Sequence, residues 1–142
     1  MSSLDVVHMI MQHLSTPDLA KWSALMDDDA LIETPFSPPW LPRAFRGRAE
    51  WEPTMLRWFG DVFHSFEWID LDLRPAADPE YVYGTGKSKG LAKSGAVYQN
   101  EYSWIFRIQN GKMTQYTEYF NPLNVLEAFG DEQGARSIGR KD

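Results

Sequence analysis

The last third of the chain constrains the fold most. Tyr98-Gln-Asn-Glu-Tyr-Ser-Trp-Ile-Phe-Arg-Ile, Gln109-Asn-Gly, Lys112-Met-Thr-Gln-Tyr-Thr-Glu-Tyr-Phe-Asn and Pro122-Leu-Asn-Val-Leu-Glu-Ala-Phe-Gly follow one another without a break. They read as strand, tight turn, strand and short helix. Side chains alternate across a strand, so one face of this hairpin carries Tyr98, Asn100, Tyr102, Trp104 and Phe106. An aromatic surface with a few polar groups set into it suits a small flat ligand better than plain core packing.

Upstream the apolar period is helical. Val6, Val7, Ile10, Met11 and Leu14 lie near helical spacing within Leu4 to Leu14, and Ser15-Thr16-Pro17-Asp18 supplies a stop and a new start. A second helix is expected over Asp18 to Met26. The acidic run Asp27 to Asp29 after it reads as a solvated turn, because three consecutive carboxylates cannot all point at one ion. Ala30 to Phe36 is a strand candidate, and Ser37-Pro-Pro-Trp-Leu-Pro42 is a stiff loop carrying Trp40, since proline removes amide donors. Gly47 to Phe59 reads as a third helix, with Trp51, Met55, Trp58 and Phe59 at three- and four-residue spacings and Pro53 fitting only its first turn.

From Phe66 onward the chain alternates: Phe66 to Leu73, a turn at Pro75 to Pro79, Tyr81 to Leu91, a turn at Lys93 to Gly95, then the hairpin. The expected class is α+β, with three helices and a first strand followed by four antiparallel strands, the helices packed on one face of a curved sheet. One domain is expected over residues 1–130, with the polar stretch Asp131 to Asp142 as a loose tail.

Composition narrows the partners. Aromatic residues make up 14% of the chain, including six Trp and six Tyr, and so much aromatic surface must line a core, a pocket or an interface. A net charge of −6 argues against nucleic acid, whose phosphates are bound by clustered Lys and Arg. Without Cys there is no disulfide framework or thiolate chemistry. His8, His13 and His64 lack metal-ligand spacing, so no metal is expected. Gly84-Thr-Gly86 lies inside a strand pattern, and neither a Walker-type lysine nor a nucleophile elbow occurs, so no cofactor is implied. Met1 to Leu14 lacks a signal-peptide pattern and no long apolar run exists; the expectation is an unprocessed, soluble, cytoplasmic protein without membrane association.

The order of elements ending in an aromatic hairpin resembles the nuclear transport factor 2-like superfamily, which includes ketosteroid isomerase, scytalone dehydratase and the SnoaL-like polyketide cyclases. The resemblance spans about residues 4–130. It implies a cone in which a bent antiparallel sheet wraps N-terminal helices and leaves a deep apolar pocket, and a homodimer through the outer sheet face. Phe63-His-Ser-Phe-Glu-Trp68, Asp78-Pro79, Tyr98-Gln-Asn100, Asn110-Gly111-Lys112 and Glu118-Tyr-Phe-Asn121 are similar to the phenazine biosynthesis A/B proteins. That likeness implies an acid-base glutamate at Glu118, and places Met55 where those proteins have a helix histidine. Ketosteroid isomerase matches less well: its base falls at Thr34 and its oxyanion donors at Ile10 and Trp104, so steroid isomerisation is not expected.

Whether Glu118 reaches a pocket depends on hairpin register. A two-residue Asn110-Gly111 turn pairs Ile108 with Met113 and points Glu118 away from Tyr102 and Trp104. A three-residue Gln109-Asn110-Gly111 loop with a glycine bulge pairs Ile108 with Lys112 and sets Tyr102 opposite Glu118. The second is preferred because it puts Tyr116 and Phe120 on the aromatic face. The candidate catalytic residues are Glu118 and Tyr102; candidate ligand contacts are Thr34, Phe36, Trp40, Met55, Phe59, Asn100, Trp104, Tyr116 and Phe120. Together they point to cofactor-independent isomerisation, cyclisation, dehydration or condensation of an apolar cyclic or aromatic metabolite, or to a non-catalytic binding protein of the same fold.

Overall fold

The computed structural model describes residues 1–14, 19–39 and 41–130; the expected stop at Ser15 to Asp18, Trp40 and the tail 131–142 lie outside them. Helix α1 (Ser3–Leu14) opens with a reciprocal cap, Asp5 N–H donating to Ser2 Oγ at 3.1 Å and Ser2 N–H to Asp5 Oδ2 at 3.0 Å. Its Val6, Val7, Ile10, Met11 and Leu14 bury one stripe against the sheet. Helix α2 (Leu19–Ser23) is shorter than expected, burying Trp22 before the chain turns extended at Met26.

Strand β1 (Met26–Glu33) therefore contains the acidic run read above as a turn. Its pairing with the last strand breaks between Met26 and Leu31, and Asp29 N–H bonds Asp27 Oδ1 at 2.9 Å, so the carboxylates stand in a bulge clear of the core. Strand β2 (Ala44–Arg46), too short to show a period, was not expected; it pairs antiparallel with the end of β1. Helix α3 (Arg48–Met55) holds Pro53 in its interior rather than its first turn. The α ladder is broken where proline lacks its N–H, and the chain continues as π-helical turns over Leu56–Val62. Then come β3 (Phe63–Pro75), β4 (Tyr81–Ala92), β5 (Val97–Gln109), β6 (Lys112–Phe120) and α4 (Pro122–Phe129).

The six strands form one sheet in the order β2-β1-β6-β5-β4-β3. Every pair is antiparallel except β1 and β6, which run parallel because the helical segment between β1 and β3 returns the chain to the far edge. Two register shifts in β3 bend its edge. The inner face of β4 carries Val82, Gly84, Gly86, Ser88, Gly90 and Ala92. Such small residues leave a strip over which neighbouring rings lie: a Cβ at Gly86 would stand 3.0 Å from the Trp104 ring, and one at Gly90 2.6 Å from Phe63 Cε1. No helix among the described residues is long and apolar enough to cross a membrane.

Candidate functional site

The hairpin between β5 and β6 decides where the carboxylate goes. Asn110 and Gly111 both take positive φ, 53° and 74°, as a two-residue type I′ turn requires, and Ile108 pairs with Met113. The preferred three-residue loop is thus corrected. Its rival is corrected too, since Glu118 does not point outward. Thr114 is an extra residue between the pairs Ile108–Met113 and Arg107–Gln115, and this bulge reverses the facing of everything beyond it. Phe106 then pairs with Tyr116, Trp104 with Glu118 and Tyr102 with Phe120, so Glu118 stands opposite Trp104 rather than Tyr102.

These side chains form the sheet wall of a cavity of about 230 Å³. Tyr98, Tyr102, Tyr116, Glu118 and Phe120 come from β5 and β6, and Phe66 and Trp68 from β3. The helical wall is Trp51, Thr54, Met55, Arg57, Trp58 and Phe59. Thr34, Ser37, Leu41, Pro42 and Phe45 make the rim on the third side. That rim is pinned: Thr34 N–H donates to Arg43 O at 2.8 Å, Arg43 Nε to Ser37 O at 3.1 Å, and the Thr34 and Ser37 hydroxyls lie 2.8 Å apart.

The structure brings together seven of the residues expected at a site: Thr34, Met55, Phe59, Tyr102, Tyr116, Glu118 and Phe120. Trp104 stands behind the wall instead, fully buried, and donates Nε1–H to Glu118 Oε1 at 3.3 Å. Phe36 lies elsewhere, 57% exposed and edge-on to Tyr119 at 5.2 Å on the outer face, because the chain turns out of β1 at Thr34. Asn100 faces inward but does not line the cavity; its amide is spent holding the start of α4, accepting from Asn121 N–H at 3.2 Å and Asn124 Nδ2 at 3.1 Å. Trp40 is outside the described residues.

Trp51, Trp58 and Trp68 were visible in the sequence as apolar spacing without any sign that they meet at one cavity. Arg57 carried no such signal. In an α-helix it would diverge from its neighbours, but the wide turns bring Arg57, Trp58 and Phe59, three consecutive residues, to the same space.

The Glu118 carboxyl is surrounded by protein, and its remaining accessible surface faces the cavity. Burial pushes it up to about 7, opposed by hydrogen bonds from Trp104 and Tyr116 that favour the charged form. Near neutral pH it can therefore both hold and accept a proton. The same desolvation raises the Tyr102 and Tyr116 phenols well above their ordinary range, leaving them as neutral hydrogen-bonding groups. Among the described residues no three His, Asp or Glu side chains cluster where a metal could be held.

The family model for the SnoaL-like domain matches residues 7–116, most of the chain. The chain belongs to the SnoaL-like domain family. An uncharacterised PhzA/B-like protein of Pseudomonas aeruginosa is 26% identical over 140 residues, covering 97% of each chain. Among solved structures, a provisionally assigned isomerase of Bacillus subtilis superposes with a TM-score of 0.81 at 23% identity, over 91% of this chain and 94% of that one. A phenazine biosynthesis-related protein of Pseudomonas aeruginosa superposes at 0.72 and 18% identity, over 89% and 88%. In this SnoaL-like chain the enclosed carboxyl, the phenols around it and the apolar walls suit proton transfer on a small, largely apolar molecule.

Proposed function

We propose that this protein is a cofactor-independent enzyme of small-molecule metabolism, an isomerase, cyclase, dehydratase or condensing enzyme acting on an apolar cyclic or aromatic metabolite. The observation that carries the reading is Glu118, held by Trp104 and Tyr116 in the cavity wall and pushed up to about 7. As carboxylate it takes a proton from a carbon or hydroxyl of the ligand; as acid it returns one. Tyr102 supplies a neutral donor for a carbonyl or imine acceptor on the same ligand.

The test starts with native mass spectrometry for a copurified molecule. Incubation of that molecule with wild type and with Glu118→Gln follows. Turnover by wild type and a loss of 10²-fold or more in the variant, about the scale of general acid–base catalysis, supports the reading. Equal turnover by both removes Glu118 from the chemistry.

A second reading has its own observation. Met55 occupies a lining position where the resemblance puts a histidine, and no imidazole lines the cavity among the described residues. On that reading the protein binds its metabolite without converting it, and the molecule is recovered unchanged. A homodimer through the outer sheet face is likewise proposed. Val97, Tyr83 and Leu91 stand exposed there beside the Lys87–Glu101 ion pair at 3.8 Å. A monomeric mass by light scattering at micromolar concentration removes it.

A further inference from the structure

A hydrogen-bonded chain runs from the start of α4 to the cavity wall, and the backbone fixes the orientation of its first member, Asn100. Asn100 Oδ1 accepts the backbone N–H groups of Glu101 at 2.8 Å and Asn121 at 3.2 Å, so the other terminus must be the amide nitrogen. Asn100 Nδ2 donates to the Asn121 carbonyl at 3.1 Å and to Tyr98 Oη at 2.7 Å. Tyr98 Oη lies 3.2 Å from Tyr102 Oη, which lies 2.7 Å from Ser88 Oγ; either hydroxyl of each pair can donate, and the order in which Tyr98, already accepting from Asn100, gives its hydrogen to Tyr102 is the one the inference takes.

The count does not close among the described residues. Three hydroxyl hydrogens, from Tyr98, Tyr102 and Ser88, meet only two hydroxyl–hydroxyl contacts. Ser88 is buried and does not line the cavity, whereas Tyr98 and Tyr102 do. Ser88 giving its hydrogen to Tyr102 leaves the surplus on the phenol that already accepts from Tyr98. Trp68 packs edge-on against the Tyr102 ring at 5.3 Å and holds that ring in the wall. Buried donors without acceptors are costly, and a ligand oxygen at this wall removes the cost.

We propose that Asn100 and Tyr98 are positioning residues that act through Tyr102, and that the chain they form makes the cavity select ring compounds bearing a ketone or enone carbonyl over hydrocarbons of the same shape. The inference rests on the small-molecule reading of the cavity. A hydroxyl that accepts a hydrogen bond is polarised into a better donor, so Asn100 to Tyr98 to Tyr102 strengthens the last hydrogen in the series. Asn100 thereby latches α4 to β5 and orients the phenol pair at once.

The experiment compares 1-indanone with indane, a nearly isosteric pair differing in the carbonyl. Dissociation constants come from quenching of tryptophan fluorescence, and the carbonyl stretching frequency of bound 1-indanone comes from infrared difference spectra. Wild type is expected to favour 1-indanone by about tenfold, the scale of one well-made hydrogen bond, and to lower the carbonyl frequency. Tyr102→Phe is expected to abolish the preference. Tyr98→Phe keeps its ring and removes the relay hydroxyl; it is expected to cut the ratio of 1-indanone to indane affinity several-fold and to raise the bound carbonyl frequency.

Equal binding of the two probes by wild type overturns the donor assignment. A Tyr98→Phe protein whose affinities for both probes move together, with the carbonyl frequency unchanged, reduces Tyr98 to packing and overturns its positioning role. Binding of neither probe overturns the small-molecule reading, and this inference with it.

Discussion

The sheet wall of the cavity takes its residues from alternate positions, Tyr98 and Tyr102 on β5 and Tyr116, Glu118 and Phe120 on β6, whereas the helical wall takes Arg57, Trp58 and Phe59 from three consecutive ones. In the first case facing is a collective property of a ladder. One residue more or less reverses every side chain beyond it. In the second, facing is set turn by turn in a segment already loosened at Pro53. The comparison teaches that the sheet wall is specified by count and the helical wall by local geometry, so substitutions in the two should differ in reach.

Inserting one alanine between Gln115 and Tyr116 tests the count most severely. With the turn and the Thr114 bulge kept, Tyr116, Glu118 and Phe120 each shift one place against β5 and turn to the outer face. Losing burial of two aromatic side chains is expected to cost about 3–6 kcal/mol in urea denaturation, with cavity binding abolished. Unchanged stability would falsify the assignment of facing to residue count along β6.

The carboxyl on that wall gives a signed pH dependence. Glu118 sits at about 7 in the folded protein against 4.5 ordinarily, so between these values the folded state keeps a proton that the unfolded state has lost. Stability is greatest below the lower value, falls as pH rises toward about 7, and levels off above it. Glu118→Gln removes this fall, and at pH 8 the variant should be about 1–3 kcal/mol more stable than wild type in chemical denaturation. Parallel profiles for the two proteins would place the carboxyl in bulk solvent.

Glycines in the sheet and in the π-helical turns sharpen the contrast at smaller scale. Gly90→Ala puts a Cβ 2.6 Å from Phe63 Cε1 and is expected to cost about 1–3 kcal/mol. Gly60→Ala, in the π-helical turns, meets nothing within 4 Å and is expected to stabilise by about 0.4–1 kcal/mol through the unfolded state. Paired thermal melts check both, and equal effects would erase the distinction between the sheet and the π-helical turns.

Legibility followed the same division. The class, α1, the β3–β4–β5–β6 run and α4 were readable because period two and period 3.6 are properties of neighbouring residues. The aromatic face of β5 was readable for that reason. Extended structure at Asp27 to Asp29 was not, since it follows from pairings with β6 on either side of the run, at Met26 and from Leu31 onward. Asn100 was taken for a ligand contact because its type and facing fit one; that its amide is consumed by Asn121 and Asn124 follows from where α4 returns. The sequence does not place Phe36 correctly because a strand ending at Glu33 rather than at Phe36 differs by only three residues.

By itself the sequence determined which residues share a strand face, that Asn110-Gly111 turns the chain, and that one carboxylate lies among aromatics near its end. Only the tertiary structure decided that Glu118 faces inward. Asn-Gly prefers its two-residue turn whatever follows, and nothing local to Thr114 demands an extra residue in the ladder. The bulge is set by the whole sheet, because admitting it buries Tyr116 and Phe120 against the helical wall, and that gain exceeds the few ladder bonds a bulge disturbs.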